Sequence, residues 1–246
     1  MNKRTRLTIS IIVAVFLLAC ACPASSLPLI NNQPATNEPA LPNTQPEIPT
    51  VAPQQETNAI YSDDFSAESS EIETYSDDTG SGETKDGVYI LRSTSELWFW
   101  GRSKSEFKDT VIEFDANLES GPANNNIGIG VICRLHTRDD GSIDGYLLAI
   151  SADGFYSIRN ISAGSMTPLV DWTSSDSVNQ GNENNKIRAT CNGSDLSLEV
   201  NGDSVATATA TADGSASGSI AFATVSFEKD QLSVETHFDN LVISKP

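Results

Sequence analysis

Short stretches in which apolar and polar residues alternate dominate the chain from about residue 60 to its end. They run over Val88–Arg92, Leu97–Trp100, Thr110–Leu118, Ile127–Leu135, Gly145–Ser151, Phe155–Ile161, Lys186–Cys191, Leu196–Val200, Ser204–Ala210, Ser219–Thr224 and Leu232–Ile243. A period of two puts alternate side chains on opposite faces of a strand, so each run predicts a β-strand with one face in a core. Clusters of Gly, Asn, Asp and Ser separate the runs. Asp153-Gly154 and Asn201-Gly202 are predicted type I′ hairpin turns, because both central positions of that turn take positive φ. No amphipathic stretch of helical period intervenes. The pattern therefore predicts an all-β fold, an antiparallel β-sandwich, over residues 59–246.

The first 58 residues read differently. Lys3, Arg4 and Arg6 precede an uncharged apolar run, Leu7 to Ala19, which is shorter than the roughly 20 residues that span a bilayer and has the layout of an export signal. The run ends Leu17-Leu18-Ala19-Cys20, which resembles the bacterial lipobox. That resemblance implies cleavage of residues 1–19 and acylation of Cys20. Cys22 is a poorer acceptor, because it lacks the aliphatic residue three places upstream. Two or more acyl chains would hold the protein stably at a bilayer. Residues 20–58 are rich in Pro, Asn, Gln, Thr and Ala without apolar periodicity, the composition of an extended tether. The expected location is the bacterial cell envelope, with the domain on the extracytoplasmic side.

Composition narrows the partners. The formal net charge is −18, and loss of residues 1–19, which carry three basic side chains and no acid, would make it three more negative. Such a surface is repelled by nucleic acid phosphates and by anionic headgroups, so nucleic acid is excluded as an expected partner.

Seven segments in order carry a family resemblance: DDFS (Asp63–Ser66), IEFDANL (Ile112–Leu118), GIGVICR (Gly128–Arg134), DGYLLAISADGFYSI (Asp144–Ile158), PLVDW (Pro168–Trp172), NKIRATCNGSDLSLEVNG (Asn185–Gly202) and FDNLVIS (Phe238–Ser244). Together they resemble the concanavalin A-like, LamG-type jelly rolls, including exported bacterial domains of the 3-keto-disaccharide hydrolase-like family. The segment after DDFS departs from the pattern, with Glu68, Glu71 and Glu73 where relatives often have a tryptophan. The resemblance implies two classes of function, a glycan-binding module or an enzyme cleaving glycosides or keto-sugars; a structural or protein-interaction module is the third reading. On such a fold Cys133 and Cys191 are expected on neighbouring strands. Exported proteins mature where disulfides persist, so a Cys133–Cys191 bridge is expected, with two buried thiols as the alternative.

Catalytic groups are sparse. His136 and His237 are the only histidines, and no nucleophile elbow, zinc-binding His-Glu-x-x-His or phosphate loop occurs. Glu113, Asp115, Asn117 and Glu119 fall at period two and would share one strand face. This resembles the carboxylate strand of laminarinase-like glycosidases, although three residues separate Asp115 from Glu119. Alternation alone accounts for the same residues as a solvated outer face. No cofactor is required by any motif. By resemblance to calcium-holding jelly rolls, Asp63, Asp64, Asp239 and Asn240 form a candidate Ca²⁺ set, and as plain turn residues they would satisfy backbone donors instead.

The candidate ligand platform is aromatic: Trp98, Trp100, Tyr146, Tyr156 and Trp172, with Arg134 and Asn124–Asn126 as polar partners, because sugar C–H faces stack on flat rings. Trp98 and Trp100 share a strand face and Phe99 takes the other. If the shared face is the core, the platform vanishes.

Overall fold

The computed structural model describes residues 58–67, 70–210 and 217–246. The expected signal peptide, Cys20 and the tether to residue 57 lie outside the described residues, as does Glu68.

The described residues form fifteen strands and no helix. They are β1 (Ala59–Asp63), β2 (Tyr75–Asp77), β3 (Gly80–Lys85), β4 (Val88–Ser93), β5 (Phe99–Arg102), β6 (Thr110–Ser120), β7 (Ile127–Thr137), β8 (Ile143–Ser151), β9 (Phe155–Ser162), β10 (Ser165–Ser174), β11 (Asn185–Asn192), β12 (Asp195–Val200), β13 (Asp203–Thr209), β14 (Ser219–Ser226) and β15 (Val234–Ser244). All pairings are antiparallel. A nine-stranded sheet has the order β13-β12-β11-β6-β15-β4-β3-β2 with β1 added against β15, and a six-stranded sheet has the order β10-β9-β8-β7-β14-β5. Non-consecutive neighbours such as β6 and β15 or β7 and β14 are jelly-roll connections, which bring distant segments side by side.

Alternation explains the layering. On β6, Ile112, Phe114, Ala116 and Leu118 enter the core between the sheets, and on β7 and β8 so do Ile129, Val131, Tyr146, Leu148 and Ile150. Phe222 and Phe238 stack at the centre with centroids 4.3 Å apart, which joins the two sheets. The Cys133–Cys191 disulfide is present. It links β7 of one sheet to β11 of the other, across the core, rather than two neighbouring strands. Both cysteines point inward from their own pleats, so the bridge staples the layers.

The two expected hairpins differ. Asn201 and Gly202 both have positive φ, as a type I′ turn requires. At Asp153-Gly154 only Gly154 does, at 99°, and Ser151 pairs with Phe155, so the connection holds three residues, Ala152 to Gly154. Strands β1, β2, β3 and β10 lack clear alternation. The edge strand β10, with Pro168 and two register shifts, forms because β9 offers it a backbone template.

Candidate functional site: an aromatic groove on the six-stranded sheet

The outer face of the six-stranded sheet is apolar, contrary to the usual wet exterior of an antiparallel layer. Ile132, Leu135, Ile143, Leu147, Ala149, Ile161, Ala221 and Ala223 form a second buried cluster there, and Trp98, Trp100, Met166 and Trp172 pack against it. Several outward positions of the central strands are small, Gly128 and Gly130 on β7, Ala149 on β8, Ala221 and Ala223 on β14, beside the larger Ile132, Leu135 and Leu147. Bulk stands at the margins, with Trp98 and Trp100 at the β5 edge and Met166 and Trp172 on the β10 edge. Between these margins lies a groove of about 580 Å³, with Trp98, Trp100, Ile143, Met166, Trp172 and Phe227 among its walls, within the size range of small-molecule sites.

Gly128 seats one rim. A Cβ on Gly128 would fall on the ring of Trp98, so the indole occupies the space the missing side chain leaves. Phe227, just past β14, stands edge-on to both Trp98 (6.0 Å, 77°) and Trp172 (5.6 Å, 76°). These edge-to-face contacts set the positive ring edge against the negative ring face. The guanidinium of Arg159 lies 5.4 Å from the Trp172 centroid, and Glu96 and Arg159 are the charged residues lining the groove. Leu97, 75% exposed, extends the rim into solvent.

The far end of the groove is held by an ion pair. Arg138 donates two hydrogen bonds to Asp144, at 2.7 and 2.8 Å, and Asp144 also accepts from the Ala163 amide at 2.9 Å. The carboxylate thus ties the β7–β8 turn to the β9–β10 turn, from which Ser142 and Gly164 line the groove. The Arg138 hydrogen bonds hold the Asp144 carboxyl below the usual carboxylate range.

All three tryptophans of the expected platform meet in this groove, and the shared face of Trp98 and Trp100 is the groove side while Phe99 is in the core. The other members do not join them. Tyr146 is 1% exposed inside the sandwich, because the pleat of β8 sends it opposite to Leu147 and Ala149. Tyr156 packs against the same inner core from β9. Arg134 sits at a register shift of β7 with φ 53°. That bulge turns Leu135 to the groove face and sends the Arg134 side chain, 6% exposed, to the Lys108 carbonyl (3.1 Å) and Asp109 (2.9 Å). Asn124 and Asn126 both donate to Glu228, at 2.7 and 2.8 Å. Phe227, Met166 and Arg159 complete the groove and were missed by sequence. No local signal marks them, because they come together only through strands distant in sequence, β9, β10 and the end of β14.

The carboxylate strand lies elsewhere. Glu113, Asp115 and Asn117 occupy the outer face of the nine-stranded sheet, away from the tryptophans, and Glu119 is exposed on the same strand. Glu113 pairs with Arg188 at 3.2 Å, and Asp115 accepts from Asn240 at 2.8 Å. They make a solvated charged face rather than a facing pair of acids.

The candidate calcium residues also find protein partners. Asp63 accepts from the Tyr61 hydroxyl (2.6 Å) and the Phe65 amide (2.8 Å). Asp64 accepts from Ser66, and Asp239 from the Asn240 amide at 2.6 Å. Among the described residues no group of three or more His, Cys, Asp or Glu side chains is placed to hold a metal ion; Asp63, Asp64 and Asn240 line one pocket of about 530 Å³, with Asp239 held by its own turn.

Two stacked antiparallel sheets with these crossovers form a jelly-roll sandwich, and the aromatic groove lies on the smaller sheet. The chain belongs to the 3-keto-alpha-glucoside-1,2-lyase-like domain family, whose model matches residues 62–244. Comparison with curated proteins returns no match. Among solved structures, the chain is similar to the carbohydrate-binding module CBM66 from Bacillus subtilis (TM-score 0.55, 14% identity, 72% of this chain and 96% of that one). It is similar also to Bacillus licheniformis beta-glucanase (TM-score 0.56, 12% identity, 76% and 98%). A Bacillus subtilis protein with a galectin-like fold gives TM-score 0.54 at 12% identity, over 76% and 96%. At these identities the likeness is one of fold.

Proposed function

We propose that this domain is a non-catalytic carbohydrate-binding module which stacks a glycan on the Trp98–Phe227–Trp172 groove. The observation that carries the reading is the separation of chemistry. The tryptophans share one groove on the six-stranded sheet, while the strand of carboxylates lies on the outer face of the other sheet. A glycosidase needs two carboxyls within about 5–10 Å across the scissile bond, and Glu113, Asp115 and Glu119 face away from the groove. The lipobox-like segment supports a lipid-anchored protein of the bacterial envelope, tethered through Cys20, that presents the groove outside the membrane.

The family description, which names a lyase, favours a second reading as a sugar-cleaving enzyme. One experiment separates them: a glycan array, with and without Ca²⁺, followed by product analysis of every hit. Saturable binding lost in Trp172→Ala, with no product released, supports the module. Released sugar would establish the enzyme. No binding to any glycan would leave a protein-interaction role.

A further inference from the structure

The aromatic groove does not end at β5. Beyond that strand lies a second cavity of about 330 Å³, and Leu97, Trp98 and Trp100 line both. β5 is the edge strand of its sheet, so its side chains border the outer face and the open side of the sandwich at once. Strand β2, at the end of the nine-stranded sheet, adds Tyr75 and Asp77 to the second cavity. The exposed Leu97 continues the two indoles into one apolar ridge between the cavities. Apolar surface in that position gains most from a ligand that passes over it from one side to the other.

The second cavity is preformed and more polar than the groove. The Tyr75 hydroxyl donates to the Trp100 carbonyl, and the Tyr75 ring stacks on Phe99 with centroids 5.4 Å apart. The Thr94 amide donates to the Thr79 carbonyl at 2.8 Å and the Leu97 amide to the Ser95 hydroxyl at 3.0 Å, which fixes the loop that carries the ridge. Arg102 lines this cavity with donors to spare. Its guanidinium has five N–H groups, and its hydrogen bonds to Glu73 and Thr137 are long, 3.5 Å each. Rings for stacking beside a fork of donors for hydroxyls are the groups that hold and orient a sugar unit. The charges lining the two cavities are Glu73, Asp77 and Glu96 against Arg102 and Arg159. In a chain of formal net charge −18, that balance repels a polymer of uronic acids.

Resting on the groove reading, we infer that the two cavities are successive subsites of one path, and that the bound glycan is a neutral linear chain which crosses the Leu97–Trp98–Trp100 ridge from the groove to Arg102. A disaccharide then fills the groove alone. Longer chains gain the contacts of the second cavity.

The test is calorimetric titration of the full chain with length series, dimer to hexamer, of β-1,3-glucan, β-1,4-glucan and β-1,4-mannan, and of α-1,4-galacturonan as the acidic series. In the neutral series that binds best, the hexamer should bind at least about thirtyfold tighter than the dimer, about 2 kcal/mol, well above the about fivefold that its five dimer registers give by counting. Arg102→Gln, at an exposed position, should weaken the hexamer at least about fivefold and leave the dimer unchanged. Its thermal midpoint should stay within about 2 °C of the wild type. Leu97→Ser should weaken the hexamer more than the dimer. A gain no larger than the counting factor, an Arg102→Gln variant that spares the hexamer or weakens both lengths alike, or tightest binding of the galacturonan series would overturn the inference. If these results came with binding still abolished by Trp172→Ala, the groove would stand without the second subsite. Absence of binding by every series would overturn the path, and the glycan array would then judge the groove by itself.

Discussion

Phe227 meets Trp172 edge to face, with centroids 5.6 Å apart and planes at 76°, although one ring follows β14 and the other sits on the edge strand β10. It makes the same kind of contact with Trp98 from the opposite edge of the sheet. The three rings therefore act as one unit, and each orients the next. Replacing Phe227 by alanine should weaken glycan binding about tenfold, since such pairs contribute roughly 0.5–1.5 kcal/mol beyond the area they bury. Titration of the variant against the best glycan, with tryptophan fluorescence as a second reading, checks this.

Gly128 and Trp98 give an independent handle on the rim. A methyl at position 128 collides with the Trp98 ring, which borders solvent and can swing away. Gly128→Ala should cost about 1–3 kcal/mol of stability, red-shift the tryptophan emission and reduce glycan affinity. A variant with native emission and native affinity would show that Trp98 is not seated by the glycine.

The Cys133–Cys191 bridge closes a chain separation of 58 residues between the two sheets. Loop-closure entropy for that length amounts to about 4 kcal/mol. Cys133→Ala/Cys191→Ala should therefore lower the thermal midpoint by roughly 8–16 °C for a domain of this size, measured by circular dichroism. Mild reduction of the wild type should do the same.

Asp144 predicts a direction of pH dependence. Its folded pKa is lowered, chiefly by the Arg138 hydrogen bonds. A carboxyl of that kind contributes stability above its unfolded value of about 3.9, and the contribution is lost as pH falls through the lower folded value. Stability should decline below about pH 4 in the wild type, and the decline should be shallower in Asp144→Asn, which is less stable at neutral pH. Because Asp144 ties two turns at the groove end, the variant should also bind glycan more weakly at pH 7.

Glu113→Gln provides the contrasting case. Its partner Arg188 also lies near Glu199, at 3.7 Å, so one exposed pair is lost and another remains. Stability should change within about 0.5 kcal/mol, and glycan binding should be unaltered.

Much of this protein was legible in its sequence for a local reason. Period two is a property of a single strand, so the strands with one buried face, such as β6, β11 and β12, announced themselves, and so did Asn201-Gly202, whose turn needs only its own two residues. The all-β class followed from alternation, and the disulfide partners from the family resemblance and the expected compartment, while the tryptophans were legible only as rings that could equally have packed in the core. What alternation cannot tell is which of two faces is the core when both are apolar. On β7 and β8 both are, and only the packing of β6 and β15 against one side left the other as a groove. A single bulge at Arg134 reversed the expected direction of its side chain, and β10, with little pattern of its own, was recruited by its neighbour. The pairing of β7 with β14 across nearly a hundred residues brought Gly128 to Trp98, and Phe227 to Trp172. Such long-range contacts depend on how sheets stack and curve, and that is decided by the tertiary structure alone.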